Sequence, residues 1–321
     1  MAMKLDARQA AELLKQQEEI LILTHKSPDG DTLGTGYALY YALTAMGKQA
    51  SVACSDPIPE KYGYFAKPVL PLTGEPGFIV AVDVADTQLL GPALEQYAGK
   101  VDLCIDHHVS NTLYADKVCL YKTASAACEI MAEVIAHLGT DLTPMIASCL
   151  YTGMATDTGC FKFSNTTAHT HRMAAQMIEA GADYVRINRI MFDTKSKSRV
   201  LLEQAALSGI EFFFDDRCAV ITVTRELFVH SGAQEADLDG VSALSRQIEG
   251  VEVGVFLREK EDGSFKVSVR TTSQVNASEL CKIFGGGGHV RAAGCVLSGP
   301  LEQAKQTLLC EVKRALEEIH P

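Results

Sequence analysis

The chain has 321 residues, of which 47% are hydrophobic and 21% are charged, and its formal net charge is −11. This length and composition predict about two soluble globular domains. The acidic excess argues against broad electrostatic binding of duplex nucleic acid, although it leaves room for a local basic pocket. The ten cysteines form no CxxC pair, which argues against structural zinc and disulfides and favours a reducing compartment. No signal peptide or membrane span is predicted, so a cytoplasmic enzyme or binding protein is expected.

Apolar runs and helical patterns alternate through the first part of the chain. The strands predicted there are 20–24, 49–54, 77–83 and 101–105. The helices predicted there are 6–17, 32–46, 87–97, 124–138 and 143–155. This alternation is typical of an α/β domain with a doubly wound, mostly parallel sheet.

The pattern changes after a mostly helical stretch at 167–206. Strands are predicted at 209–224, 251–258 and 263–270, and helices at 276–284 and 301–318. The connections between these strands are hairpin-like, which indicates a smaller α/β domain with a mixed sheet. We therefore expect residues 1–200 to form one domain and residues 208–321 to form a second, joined by a helical linker.

The most informative stretch follows the first predicted strand. The apolar run 20–23 is typical of a buried parallel strand, and it is followed at once by His25, Asp29 and Asp31. Ligands of open α/β sheets bind at the carboxyl ends of strands. An imidazole with hard oxygen ligands suits Mn²⁺ or a similar divalent ion. The alternative is that one aspartate only caps the next helix, which leaves His25 and the second carboxylate unexplained.

Three further polar sites follow apolar segments: Asp83, the run Asp106-His107-His108, and Asp157. Taken alone, Asp83 is compatible with an ordinary strand end and Asp157 with a turn. If all these carboxylates meet at one edge of the sheet, they repel one another unless cations neutralise them. Two divalent ions would do so, and a two-metal site is a standard device for phosphoryl transfer with a hydroxide nucleophile.

These motifs resemble a known family. THKSPDGD, VAVDVAD, DHH followed by VSN, and ATDTG match, in order, the signature motifs of the DHH phosphoesterases. The second domain resembles the DHHA1 domain through the motif FGGGGH at 284–289, which continues as VRAAG at 290–294. The architecture is similar to the stand-alone nanoRNase and pAp-phosphatase branch, and also to stand-alone phosphodiesterases that act on cyclic di-AMP or pApA.

The resemblance implies a set of site residues in the first domain. The first ion would be held by His25, Asp29 and Asp83, and the second by Asp31, Asp83, His107 and Asp157, with Asp83 bridging. The ions would be two Mn²⁺, with Mg²⁺ or Co²⁺ as alternatives. Asp106 would orient its neighbours. The catalytic residues implied are Asp83, Asp157 and His108, of which His108 would contact the scissile phosphate and help to protonate the leaving group.

The second domain would recognise the substrate. Its glycine run allows backbone N–H groups to approach a phosphate or base closely, although a flexible loop has the same appearance. The substrate-binding residues expected here are Gly286, Gly287, Gly288, His289 and Arg291. Arg270, at the end of a predicted strand, is a further candidate for binding a terminal phosphate.

The leading functional hypothesis is a Mn²⁺-dependent phosphoesterase that hydrolyses short oligoribonucleotides to mononucleotides and dephosphorylates pAp to AMP through a hydroxide activated by two metals. Hydrolysis of cyclic di-AMP or pApA is the alternative, and a non-catalytic nucleotide sensor or a manganese pyrophosphatase is less favoured. The partners expected are short single-stranded RNA and small phosphorylated nucleotides, but neither a membrane nor long duplex nucleic acid. The sequence leaves the oligomeric state open, with a homodimer as one alternative.

Overall fold

The computed structural model describes residues 2–238 and 240–319 of the chain. The chain divides into two compact units, Met1–Thr194 and Lys195–Pro321. Each unit has a sheet and a hydrophobic core of its own. Among the described residues, no helix is long and apolar enough to cross a membrane.

A six-stranded parallel sheet organises the first unit, in the order β1-β6-β5-β4-β2-β3. Its strands are β1 Met3–Lys4, β2 Ile20–Leu23, β3 Ala50–Ala53, β4 Phe78–Val82, β5 Leu103–Asp106 and β6 Lys117–Leu120. The four residues of β2 and the five of β4 are buried throughout, as the continuous apolar runs predict for a parallel sheet covered on both faces.

Helices cover one face of this sheet. They are α1 Ala7–Lys15, α2 Gly30–Ala45, α3 Ala127–Leu138, α4 Pro144–Asp157, α5 Ala168–Glu179 and α6 Tyr184–Asn188. Ile20 and Ile22 belong to the core on the helical face, whereas Leu21 and Leu23 belong to a second core on the opposite face. This division follows from the two-residue period of a strand.

Glycines allow α2, α3 and α4 to approach closely. A Cβ on Gly30 would lie 2.3 Å from Oγ1 of Thr156, and a Cβ on Gly153 would lie 2.2 Å from Sγ of Cys128. Only a residue without a side chain fits at either contact. The close approach brings the start of α2, the start of α3 and the end of α4 to one place beside the sheet.

The second unit has a mixed sheet in the order β11-β12-β10-β9-β8-β7. Its strands are β7 Glu211–Phe213, β8 Cys218–Val223, β9 Val253–Glu259, β10 Phe265–Thr271, β11 Gly287–His289 and β12 Ala292–Leu297. Its helices are α7 Lys197–Ser208, α8 Arg225–His230, α9 Val241–Leu244, α10 Ala277–Lys282 and α11 Leu301–Ile319. Only β8 and β9 pair in parallel, and the other pairs are antiparallel.

The two-domain α/β class and the mixed second sheet are confirmed, but several predicted elements were wrong. The helix predicted at 87–97 is two short 3₁₀ helices, Thr87–Leu90 and Pro92–Tyr97, which cover the second face of the first sheet. Strands β1, β6, β11 and β12 were not predicted. β1 has only two residues, too few to show a periodic pattern, and β11 is rich in glycine, so its pairing with β12 outweighs its poor intrinsic strand propensity.

Candidate metal centre and active site

The candidate site lies at the carboxyl ends of three adjacent strands, β5, β4 and β2. One of the polar motifs lies at the end of each strand. The C-terminal end of α4, which carries Asp157, and the start of α2 reach the same edge. This is the position at which parallel α/β sheets bind their ligands. The sequence-based expectation that the four motifs converge is therefore met by the topology.

His25 and Asp29 form one side of the site. Nδ1 of His25 lies 2.7 Å from the carbonyl oxygen of Lys26, so Nδ1 carries the proton and Nε2 faces the site, 3.5 Å from Oδ1 of Asp29. Burial acts to lower the pKa of His25, but the hydrogen bond and charge of Asp29 raise this pKa to about 9. Asp29 is also the N-cap of α2, accepting hydrogen bonds from the backbone N–H groups of Asp31 and Thr32. Capping and ligation are thus compatible roles for one carboxylate.

Asp31 is buried in the first turn of α2. Its Oδ2 accepts a hydrogen bond of 2.6 Å from the N–H of Ala127, and its Oδ1 accepts one of 2.9 Å from the N–H of Cys128. Both donors are free backbone groups at the start of α3, which stabilise a carboxylate. Burial nevertheless raises the pKa of Asp31, although the nearby His107 opposes this effect. The side chain is held firmly, yet its negative charge is not fully compensated.

Asp83 lies at the centre of the group. It follows β4 with φ = 57°, a left-handed conformation that is uncommon outside glycine. Its carboxylate is buried, and Oδ1 has no hydrogen-bond partner among the described residues. Burial, together with the charges of Asp31 and Asp29, raises the pKa of Asp83 well above its usual value. Buried carboxylate oxygens normally accept hydrogen bonds, so this oxygen is available as a ligand for a cation.

His107 connects Asp83 to the rest of the cluster. Its Nδ1 lies 3.2 Å from the carbonyl oxygen of Ala124, which leaves Nε2 directed at the carboxylates. Nε2 is 3.5 Å from Oδ1 of Asp83, 3.5 Å from Oδ2 of Asp157 and 3.7 Å from Oδ2 of Asp31. Burial and the charge of Asp31 raise the pKa of Asp157, the last residue of α4, to about 7.

Asp106 and His108 form a separate pair. Oδ1 of Asp106 is 2.8 Å from Nδ1 of His108, and its Oδ2 accepts a 2.6 Å hydrogen bond from the side-chain amide of Asn111. The hydrogen bond with Asp106 raises the pKa of His108, although burial opposes the shift. The imidazole of His108 is 41% exposed, unlike that of His107, which is 13% exposed. His108 is therefore the more accessible imidazole of this adjacent pair.

The donors of the cluster fit divalent cations. Three groups of side chains each have ligand atoms within 4.8 Å of one another: His25, Asp29 and Asp83; Asp31, His107 and Asp157; and Asp83, His107 and His108. All are imidazoles or carboxylates, the donor types preferred by Mn²⁺ and similar ions. The first group contains the residues that the family resemblance implies for the first ion. The second group contains those implied for the second ion except Asp83, which would be shared by both ions. Their roles as ligands stay predictions.

The predicted substrate residues lie in the second unit. His289 and Arg291 are exposed at and beyond β11, an edge strand, and Nη1 of Arg291 donates to the carbonyl oxygen of Val275. Gly287 and Gly288 are part of β11 rather than of a loop, and Gly286 precedes it. Arg270 is half-buried in β10 and lines a cavity with the basic side chains of the same sheet face, Arg258 and Lys266. Nucleotide binding by these residues stays a prediction.

Sequence reasoning missed several groups that shape the site. Asn111 belongs to the quoted VSN motif, but its role in holding Asp106 was not predicted. Asn165 donates from its side chain to the carbonyl oxygens of Asp157 and Ser125. An asparagine in a short polar run after the fourth motif is the only sequence signal for it. The backbone groups that fix Asp31 and His107 leave no signal at all, because any residue carries them.

Comparison with known proteins agrees with this geometry. Residues 19–154 match the N-terminal domain of the DHH family, and residues 216–318 match the DHHA1 domain. A bifunctional oligoribonuclease and PAP phosphatase of Thermus thermophilus is 36% identical over 96% of this chain and 94% of its own length. The chain therefore belongs to the DHH phosphoesterase family, with a DHHA1 domain. It is a hydrolase that acts on phosphoester bonds.

Two other similarities bear on the site. A cyclic-di-AMP phosphodiesterase of Geobacillus thermodenitrificans is 24% identical over 89% of this chain, which spans 46% of that protein. The crystal structure of an exopolyphosphatase-related protein from Bacteroides fragilis superimposes with a TM-score of 0.84 at 25% identity, covering 97% of this chain and 95% of the other. The whole two-unit chain thus has a counterpart of known structure.

Proposed function

We propose that this protein is a Mn²⁺-dependent phosphoesterase that hydrolyses short oligoribonucleotides to mononucleotides and removes the 3′ phosphate of pAp. The observation that carries the proposal is the buried Oδ1 of Asp83, which accepts no hydrogen bond among the described residues and lies at the junction of the two ligand groups. The similarity to the Thermus thermophilus enzyme, which extends over nearly the full length of both chains, supports the choice of substrates. Residues 1–200 would form the catalytic domain and residues 208–321 the substrate-binding domain.

The metal site would use six side chains of the first unit. His25, Asp29 and Asp83 would hold one ion, and Asp31, Asp83, His107 and Asp157 would hold the other. Divalent ions bound here would lower the pKa of a water molecule and neutralise the charge on the phosphate oxygens. The buried carboxylates Asp31 and Asp83, whose pKa values are raised by burial, gain a counter-charge when ions bind. The backbone hydrogen bonds to Asp31 keep its oxygens in place before binding.

His108 would serve as the general acid. Asp106 holds Nδ1, so Nε2 is free to donate a proton to the leaving oxygen as the P–O bond breaks. The hydrogen bond with Asp106 raises the pKa of His108 and so favours the protonated ring that a general acid needs. Asn111 would act as a positioning residue because it fixes the second oxygen of Asp106.

The second unit would bind the nucleotide. Arg270 shares its cavity with Lys266, Ser268 and an Arg258 that is ion-paired with Glu235, so Arg270 and Lys266 are the cations suited to an anionic ligand. His289 and Arg291 are exposed beside the glycine strand, and the guanidinium donors of Arg291 that are not bonded to Val275 would contact a phosphate or base. The acidic net charge limits such contacts to short ligands. Ten free thiols and the substrate class support a cytoplasmic location.

Hydrolysis of cyclic di-AMP or pApA is the second candidate. The similarity to the Geobacillus phosphodiesterase favours it, although this chain spans less than half of that protein. The same metal site would hydrolyse the same type of bond, so the first unit does not separate the two functions. The separation must come from the shape of the substrate site in the second unit.

One panel of substrates tests both candidates. Purified protein with Mn²⁺ is given pAp, pApA, a five-nucleotide RNA and cyclic di-AMP in parallel, and the products are separated by chromatography. The Asp83→Asn variant, prepared identically, shows how much activity comes from contaminating nucleases. Fast turnover of pAp and RNA with cyclic di-AMP spared is expected. Preference for cyclic di-AMP would replace the proposal by the second candidate, and inactivity on all four would support a nucleotide sensor.

A further inference from the structure

The segment that follows α4 carries two phenylalanines in opposite environments. Phe161 is partly buried and packs against Tyr151 and His171, with ring centroids 5.8 Å and 5.4 Å away. Phe163, two residues later, is 54% exposed. Packing in the core explains the first ring but not the second. Its neighbours in the sequence, Lys162, Ser164 and Asn165, are polar and exposed.

The backbone holds Phe163 in a fixed place. Its N–H donates to the carbonyl oxygen of Thr158 at 3.0 Å, and its ring lies against Gly159. A Cβ on Gly159 would be 2.4 Å from Cζ of this ring, so only glycine leaves room for it. Gly159, Cys160 and Phe161 all have positive φ, between 57° and 62°. Such strained segments cluster at ligand-binding sites, where the surrounding structure enforces them.

The same segment is attached to the metal centre. Thr158 directly follows Asp157, so the Cα of Gly159 lies at most about 7.6 Å from the Cα of Asp157. The side-chain amide of Asn165 donates to the carbonyl oxygens of Asp157 and Ser125 at 3.2 Å and 3.1 Å. The exposed ring therefore lies against Gly159, a residue two positions after the candidate metal ligand Asp157.

We propose that Phe163 is a stacking platform for a nucleobase of the substrate whose phosphate reacts at the metal centre. The inference rests on the proposed function, since it requires a nucleotide substrate. Stacking on an aromatic ring tolerates every base, which suits an enzyme that degrades RNA of any sequence. The exposed Lys162, next to Phe161 and one residue before Phe163, would supply a positive charge for an adjacent phosphate.

A fluorescence experiment tests the platform directly. The chain contains no tryptophan, so Phe163→Trp creates a single tryptophan at the proposed site, whose emission can be excited selectively over that of the tyrosines. AMP, a product that is not hydrolysed further, is titrated into this variant, and ribose 5-phosphate serves as the probe without a base. Phe212→Trp is the matched control, because Phe212 is also an exposed phenylalanine, 43% exposed, but lies on β7 of the second unit.

Saturable quenching of Phe163→Trp by AMP, with no response to ribose 5-phosphate and none in Phe212→Trp, would support the platform. Equal responses to AMP and ribose 5-phosphate, or no response to either, would overturn it.

Kinetics give a second test. Phe163→Ala should raise the KM for a dinucleotide about 10-fold with little change in kcat, and Phe163→Tyr should restore it.

These outcomes are distinguishable from a failure of the proposed function. If wild-type protein hydrolyses RNA while Phe163→Ala has an unchanged KM, the platform is wrong and the function stands. If AMP quenches Phe163→Trp while wild-type protein hydrolyses no RNA, the platform is supported and the function is wrong.

Discussion

The two units place their polar groups under opposite conditions. In the first unit, the candidate ligands Asp31 and Asp83 are buried, and backbone or side-chain contacts fix most of their neighbours. In the second unit, His289 and Arg291 are exposed on an edge of the sheet. The difference teaches that the candidate ligands of the first unit are held in place before any ligand arrives, whereas the candidate binding residues of the second unit are open to solvent. We therefore expect changes in the first unit to affect catalysis and changes in the second to affect binding.

The largest effect is expected from Asp83. Asp83→Asn should lower kcat by at least about 10³-fold, because a metal ion contributes several kcal/mol to phosphoryl transfer and each 1.4 kcal/mol is a factor of ten. Asp102→Asn is the matched control, since this carboxylate accepts a hydrogen bond from the N–H of Ile79 near the opposite ends of the strands. Mn²⁺-dependent activity retained in Asp83→Asn would contradict the bridging role.

The stability of Asp83→Asn also tests whether Asp83 in the first unit is held ready for a cation. In metal-free protein at neutral pH, Asp83→Asn should raise the free energy of unfolding by about 1 kcal/mol, because the amide removes a buried charge whose pKa is raised well above the usual value. Added Mn²⁺ should raise the melting temperature of wild-type protein more than that of the variant. A metal-free variant less stable than the wild type would show that Asp83 is not under electrostatic strain.

The next effect concerns the packing that assembles the metal centre. Gly153→Ala should destabilise the protein by about 1–3 kcal/mol, since the added Cβ would lie 2.2 Å from Sγ of Cys128 and 2.7 Å from Oδ1 of Asp31. Gly99→Ala is the control, because no heavy atom lies within 4 Å of its added Cβ. Denaturant unfolding measures both. Equal stabilities would show that α3 and α4 separate easily, contrary to a preorganised first unit.

A smaller effect is expected in the second unit. Arg291→Ala should raise KM for pAp and RNA about 10-fold and leave kcat unchanged, the result for a contact made equally in the ground and transition states. Arg314→Ala removes an exposed arginine of α11 that pairs with Glu311 and should leave KM unchanged. A loss of kcat at constant KM would place Arg291 in transition-state stabilisation and weaken the comparison.

The smallest effect is a pH dependence in the second unit. Partial burial acts to raise the pKa of Glu252, but the hydroxyl of Thr272 and the N–H groups of Gln274 and Val275 lower this pKa to about 2. A lowered pKa means that the contribution to stability is present above about pH 4.5 and is lost as the pH falls towards about 2. Because Glu252 is partly exposed, we expect the contribution to be below about 1 kcal/mol.

The amide resonances of Gln274 and Val275 report this titration by NMR. A midpoint near pH 2 in wild-type protein is expected, with no such titration in Glu252→Gln. Glu249→Gln, at an exposed glutamate in the same unit, should leave the midpoint unchanged. A midpoint near 4.3, the value of an ordinary glutamate, would contradict the hydrogen-bonded site.

Local motifs made much of the first unit predictable. His25, Asp29 and Asp31 follow a buried apolar run, so both the strand and the helix that Asp29 caps could be inferred. The contact between Asp31 and the start of α3 could not, because it joins groups 96 and 97 residues apart through backbone atoms. The glycine run shows the same limit in the second unit, where pairing with β12 makes Gly287–His289 a strand.

The central claim is that two divalent ions share Asp83, and electron paramagnetic resonance of Mn²⁺ titrated into metal-free protein tests it most directly. We predict that two Mn²⁺ bind per chain and that, at saturation, the spectrum is that of two spin-coupled ions. We predict at most one ion, without coupling, for Asp83→Asn. A single uncoupled Mn²⁺ in saturated wild-type protein, or a coupled pair retained in Asp83→Asn, would contradict the claim.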